Sequence, residues 1–222
     1  MVDEVHSAVT AGQAVYKPSM LAIYDRFVIG YSNRFVWRCE TATQIANYRS
    51  HIGTDHLEIG AGTGYYLDRC RFPAGRPALT LLDLNPSVLR YAARRLARYG
   101  PELVRANALE PLPVPPASFD SVGVNYLLHC LPGDWAAKEA VLGHAAEAAR
   151  PGGTVFGATL LSRGVDVHPR ARRWMDYYNR KGMFHNAGDG LHDLRATLTG
   201  RFAEHDLVVQ GCAAVFSART HD

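Results

Sequence analysis

His56-Leu57-Glu58-Ile59-Gly60-Ala61-Gly62-Thr63-Gly64-Tyr65 decides how the rest of this chain is read. An apolar run carries an acid near its end, and three glycines then fall at alternate positions. Such a stretch is a strand turning sharply into a helix, with glycines where a side chain would hold a ligand off the backbone. An adenosine-bearing cofactor is the first candidate. A dinucleotide fingerprint needs G-x-G-x-x-G, whose last glycine lets helix and strand pack closely while the helix N-terminus faces a pyrophosphate. Here that last place is Tyr65, and the glycine falls one residue earlier. A glycine-rich turn without a ligand is the competing reading of these residues.

Downstream, Ala78-Leu79-Thr80-Leu81-Leu82-Asp83 is apolar almost throughout, as a parallel strand buried on both faces requires, and it ends in an acid. A carboxylate at that strand end can accept both ribose hydroxyl protons. Asp83, 19 residues beyond Gly64, is therefore the expected ribose ligand. Its competing role, capping the next helix, is already filled by Asn85 with Pro86 at the first helical position. That helix is predicted over 86–99, stopped by Gly100, and a short strand follows over 103–106. The proline-stiffened run 112–120 leads into a strand over 121–125. A helix over 135–150 capped by Asp134, a Pro151-Gly152-Gly153 turn and a strand over 154–160 come next. The chain closes with a helix over 191–202 and strands over 205–209 and 213–217, which the short Gln210-Gly211 connection makes antiparallel.

Glu58-x-Gly60-x-Gly62-x-Gly64 resembles the first motif of class I S-adenosylmethionine-dependent methyltransferases. Leu112-Pro113 with Ser118-Phe119-Asp120, and Arg150-Pro151-Gly152-Gly153, are similar to later motifs of the same group in the same order. Tyr24-Asp25 and the Asn33–Arg38 run are similar to the helices preceding the core in its small-molecule branch, the quinone-biosynthesis methyltransferases. The resemblance implies an α/β, Rossmann-like, seven-stranded and mostly parallel sheet with an antiparallel C-terminal hairpin and helices on both faces. It implies S-adenosylmethionine as cofactor, with Glu58 on its amino group, the backbone of Gly60, Ala61 and Gly62 beneath it, and Tyr65 beside it. Asp83 and Leu84 then hold the sugar end, Asn107 and Ala108 the adenine, and Asn125 and Tyr126 the reacting end. Asn107 stands where the group often has aspartate, but its side-chain carbonyl still accepts. Tyr126 or Tyr65 would face the sulfonium.

The acceptor site is expected from Tyr24, His129, Trp174, Tyr178, Phe184 and His185, with 1–50 as a helical cap, 51–222 as the core and 162–190 as an acceptor-selecting insertion. Leu127 and Leu128 exclude an Asn-Pro-Pro-Tyr signature for planar amines. His129 is the candidate base, weighed against a purely supporting role. A helix over 169–181 is expected to turn Trp174, Tyr177 and Tyr178 inward and its arginines to solvent. Upstream, a mobile arm before residue 18, a helix opening at Ser19 with Leu21, Tyr24 and Val28 on one face, and a helix over 33–48 are predicted.

At 222 residues and 47% apolar composition the chain suits one folded domain. A net charge of +3 demands neither a nucleic acid nor a membrane surface. The four cysteines are far apart, so neither a metal site nor a disulfide framework is expected and all are expected to be reduced. The N-terminus lacks the pattern of a secretory signal, and a cytoplasmic enzyme acting on a small-molecule acceptor is the expectation, its oligomeric state left open, a homodimer included. The alternatives are a cofactor-binding protein without transfer, or one promoting another rearrangement, and an RNA methyltransferase using the basic helix.

Overall fold

The computed structural model describes residues 25–73 and 75–222. Strands β1 (Asp55–Ile59), β2 (Ala78–Asp83), β3 (Glu102–Arg105), β4 (Phe119–Asn125), β5 (Ala149–Leu160), β6 (Glu204–Gln210) and β7 (Ala213–Arg219) form one seven-stranded sheet. Its order is β3-β2-β1-β4-β5-β7-β6, parallel from β3 through β5 and antiparallel at β7 and β6. The expected Rossmann-like α/β sheet with its C-terminal hairpin is what the chain forms.

Two-residue periodicity splits each central strand between two helical layers. On one face Leu57, Ile59, Val122, Val124, Val155 and Phe216 pack on α4 (Trp135–Ala148) and α6 (Leu191–Arg201) through Val141, Leu142, Ala145, Leu194 and Leu198. On the other, Leu79, Leu81 and Phe156 meet α1 (Thr41–His51), α2 (Tyr65–Arg69) and α3 (Pro86–Arg95) through Tyr48, Leu67, Leu89 and Ala92. A third cluster joins Val36 and Trp37 to Ala158, Leu160, Val215 and α5 (Pro169–Arg180). Val36 and Trp37 end a π-type helix, Asp25–Trp37. Burying apolar side chains on both faces is what fixes the parallel register, since a one-residue slip would exchange the faces.

Several local expectations need correction. The predicted helix over 33–48 is broken: Arg38 takes a left-handed φ of 57°, and α1 begins only at Thr41. The arm before residue 18, Ser19, Leu21 and Tyr24 lie outside the described residues. α3 stops at Arg95, and a 3-10 turn, Ala97–Tyr99, completes the predicted span before Gly100. Arg150 to Gly153, expected as a turn, are drawn into β5 as a bulged start, because Phe119 pairs with Ala149 while Ser121 pairs with Thr154. On α5 the inward line is Ala171 and Met175, while Tyr177 is 50% exposed. Ala171 and Met175 join the third cluster beside Val36 and Trp37, and the aromatic residues lean to one side, where Trp174 meets Trp37 edge-on at 6.4 Å. Asn85 and Asp134 cap their helices as read, accepting from Ser87 N (2.9 Å) and Ala136 N (3.1 Å).

Candidate cofactor and acceptor site

Strand order reverses between β1 and β4, so their carboxyl ends diverge and leave a crevice, the usual ligand position in open α/β sheets. One cavity occupies it. Every cofactor residue expected from the sequence lines it: Glu58, Gly60, Ala61, Gly62, Tyr65, Asp83, Leu84, Asn107, Ala108, Asn125 and Tyr126. They come from the ends of β1, β2, β3 and β4, so register alone brings them together.

The glycine turn is built for close approach. Gly60, Gly62 and Gly64 all have positive φ (80°, 51° and 70°), and a Cβ on Gly62 would point into open space, with only the Gly60 carbonyl at 4.0 Å. Asp83 closes the neighbouring strand. It accepts from Asn85 N at 2.8 Å, and burial pushes its carboxyl up from 3.8 to about 6 against the pull of nearby backbone N–H groups. Asn107 Oδ1 receives Leu109 N at 3.1 Å, and its amide donates to Glu110 at 3.2 Å, which fixes the side chain in a local turn. Leu84 and Val88 supply the apolar wall between the two.

Glu58 is only 3% exposed. Tyr48 Oη donates to its Oε1 at 2.5 Å, and His56 Nε2 lies 3.0 Å from its Oε2. Tyr126 follows β4 with a φ of 54°, strained for a bulky residue, and burial drives its phenol pKa well up. The Tyr65 ring already carries the Arg69 guanidinium at 4.4 Å from its centroid. Thr63, in the glycine turn, donates to Asp25 Oδ1 (2.6 Å), and Arg95 binds both Thr63 Oγ1 (3.1 Å) and Asp25 Oδ2 (2.5 Å). That triad ties the helix at Asp25 to the turn, and Ile29 of the same helix lines the cavity.

Beyond Asn125 and Tyr126 the wall becomes apolar, formed by Leu127, Leu131, Pro132, Met183 and Phe184. Of the acceptor residues expected from the sequence, Phe184 lines the cavity, and Tyr24 lies outside the described residues. His129, Trp174, Tyr178 and His185 do not line it. Trp174 and Tyr178 border a shallow depression on the outer side of α5 and pack behind Phe184, with the Tyr178 and Phe184 rings 4.8 Å apart. His129 sits in a 3-10 turn, Leu128–Cys130, that aims its ring at β5; Nδ1 is 3.4 Å from Leu160 N, and Phe184 packs on it at 4.7 Å. Burial, with the Lys138 ammonium nearby, lowers its pKa to about 3. His185 contributes its backbone: its N–H donates to His129 O at 2.8 Å, and its carbonyl accepts from Lys138 Nζ at 2.7 Å. Lys138, fully buried, also pairs with Asp189, which anchors the loop bearing Met183 and Phe184 to α4. Tyr48, Thr63 and Met183 line the cavity without having been singled out from the sequence. Only the acid–glycine spacing pointed at Thr63; nothing local to Tyr48 or Met183 marks them.

A parallel sheet with a reversed hairpin and a glycine cradle flanked by two acids is the architecture of the class I S-adenosylmethionine-dependent methyltransferases, and the chain belongs to their small-molecule branch, as its relatives show. A family model described as a methyltransferase domain matches residues 57–155. The chain is 46% identical over 218 residues to the demethylluteothin O-methyltransferase of Streptomyces thioluteus, covering 98% of this chain and 95% of that protein. It is 37% identical to the physcion biosynthesis cluster O-methyltransferase of Aspergillus chevalieri, covering 93% and 94%. Among solved structures, the DhpI–SAH complex superposes with a TM-score of 0.69 at 17% identity, over 97% of this chain and 98% of that one. No described helix is long and apolar enough to cross a membrane.

Proposed function

We propose that this methyltransferase methylates a hydroxyl oxygen of an apolar small-molecule metabolite. One observation carries the reading: a single cavity joins the acid-flanked glycine cradle to the apolar wall of Leu127, Leu131, Met183 and Phe184. Oxygen is favoured over carbon and nitrogen because both relatives described above are named O-methyltransferases.

The donor set fits the cofactor at each end. Glu58 would hold its ammonium group, Asp83 its ribose hydroxyls, Leu84 and Val88 the apolar adenine, and Asn107 with the Ala108 N–H the adenine edge. S-adenosylmethionine supplies an electrophilic methyl group on a cationic sulfur. The chain then has to hold an acceptor in line and keep water out, and positioning of that kind is worth ~7 kcal/mol or more of barrier. Phe184, braced by Trp37, Tyr178 and His129, forms a rigid apolar plate on the acceptor side. His129 acts as that brace and not as a base, since it does not line the cavity. Of the segment before residue 51, the described part, 25–50, serves as a cap, and 162–190 serve as the acceptor insertion, a division supported by Ile29 from the first and Met183 and Phe184 from the second lining the same cavity.

The test is incubation of the protein with methyl-labelled S-adenosylmethionine and a panel of apolar phenols, enols, amines and carbon acids, read by mass spectrometry. Label on oxygen is the expected result; label only on nitrogen or carbon overturns the assignment.

A further inference from the structure

A chain of polar groups, buried from Ser121 onward, runs from Gly53, just before the start of β1, to the cavity wall. Gly53 N–H donates to Ser121 Oγ at 2.7 Å, and Ser121 Oγ lies 2.8 Å from His56 Nδ1. His56 Nε2 then lies 3.0 Å from Glu58 Oε2. Ser121 and His56 are both 0% exposed. A carboxylate only accepts, so the imidazole hydrogen is assigned to Nε2, aimed at Glu58; Nδ1 of the neutral ring then accepts the Ser121 hydroxyl hydrogen, while Oγ in turn accepts from Gly53 N–H. The ring cannot rotate out of this role. Phe156 stacks on it at 5.7 Å and 27°, and Phe72 closes its edge at 6.3 Å.

The carboxylate also occupies a place that the neighbouring strand vacates for it. A Cβ on Gly123 of β4 would sit 2.3 Å from Glu58 Oε2 and 3.3 Å from His56 Cε1. Any residue but glycine there drives the acid from its seat. On the opposite side Tyr48 holds Oε1, so both oxygens are fixed before any ligand arrives, each with a lone pair to spare.

We infer that Ser121, His56 and Gly123 are positioning residues that hold the Glu58 carboxylate for the ammonium group of the cofactor. The inference rests on the cofactor reading given under Proposed function. The three residues touch neither donor nor acceptor: they are fully buried or on the far side of the glutamate, and none lines the cavity. Their work is preorganisation, which spares the acid from reorienting when it binds. The histidine and serine also satisfy each other, so a sheet interior carries polar groups at little cost in unpaired atoms.

Two ligands separate positioning from mere structural support. S-adenosylhomocysteine carries the amino acid end, whereas 5′-methylthioadenosine shares the adenosine and thioether but has no ammonium group. Calorimetry is run with both on the parent protein, Ser121→Ala, His56→Phe and Gly123→Ala. A misaimed charged hydrogen bond predicts S-adenosylhomocysteine binding about tenfold or more weaker in each variant, with methylthioadenosine binding unchanged within a factor of two. His56→Gln, which restores an N–H donor, is expected to recover part of the loss. Equal weakening of both ligands, or no weakening of either, overturns the inference. A parent protein that binds neither ligand brings down the cofactor reading itself, whereas a parent that binds both while the variants match it sinks only the role of these residues.

Discussion

Replacing Asp83 by asparagine separates what a partly buried charge costs the fold from what it does for the ligand. Burial raises this carboxyl from 3.8 to about 6, and the N–H groups of Asn85, Gly62, Ala61 and Leu84 only partly offset it. The folded chain therefore holds the proton more tightly than the unfolded chain does. The group favours folding most below about pH 4, and that contribution is lost as pH rises through about 6. At pH 7 and above the gap of roughly two pH units is worth ~3 kcal/mol. Asparagine keeps an oxygen for the Asn85 N–H and carries no charge, so the variant without ligand is expected to gain up to that amount. For a chain of this length the melting temperature rises on the order of 5–10 °C. With S-adenosylhomocysteine the order reverses. A carboxylate accepts from two ribose hydroxyls where an amide offers one oxygen, and losing one charged hydrogen bond weakens binding by about 10- to 100-fold. Scanning calorimetry with and without the ligand at pH 7.5 reads both effects. Below about pH 6 the parent is expected to lose affinity as Asp83 takes a proton, and the asparagine variant is not. If the variant melts no higher than the parent, or gains as much from the ligand, the account of this carboxylate is refuted.

Other residues give independent tests. Asp25→Asn breaks the triad with Thr63 and Arg95, and stopped-flow measurement is expected to show cofactor dissociating about 3- to 10-fold faster, consistent with a partly buried pair worth ~1 kcal/mol; an unchanged rate would show that the triad plays no part in retaining the cofactor. Lys138→Met strands Asp189 in the interior and is expected to cost ~3–5 kcal/mol by urea titration, whereas Lys138→Met with Asp189→Leu recovers most of it; equal losses in the two proteins would show that the pair itself stabilises the loop. His129→Asn is expected to keep the pH dependence of methyl transfer between pH 6 and 8 while losing ~1–3 kcal/mol of stability, because the native ring titrates near 3 and serves as packing; a pH step that vanishes with the ring would restore it as a base.

The cofactor side was legible because it is written locally. Glu58, the three glycines and Asp83 each sit at the end of a strand whose apolar pattern identifies it, and parallel register does the rest. The acceptor side was not, because its position depends on how helices rotate against the sheet. The aromatic residues of α5 look like a core stripe by name, yet Ala171 and Met175 take the inward line and leave Tyr177 in solvent. His129 shows the same limit more sharply. Its sequence position, four residues past β4, is where an acid–base group would meet a substrate, but a single 3-10 turn rotates the ring toward Leu160 and out of the cavity. Tyr48 was invisible for the opposite reason: it lies ten residues before Glu58, and only the packing of α1 across the sheet brings its hydroxyl to that carboxylate.

These differences share a physical origin. Every residue proposed to hold the adenosine end is fixed by main-chain geometry, which spacing encodes, whereas Phe184, Met183 and Tyr48 reach the cavity through side-chain packing across layers. The glutamate belongs to both kinds. Its place at the end of β1 was readable, but its orientation depends on Ser121 and Gly123 of β4 and on Tyr48 of α1. The requirement that one carboxylate keep a fixed direction therefore constrains three elements distant in sequence. Substitutions at Ser121 or Gly123 should accordingly damage cofactor binding more than their distance from the cavity suggests, while an exposed position of the same sheet, such as Val208 of β6, should not.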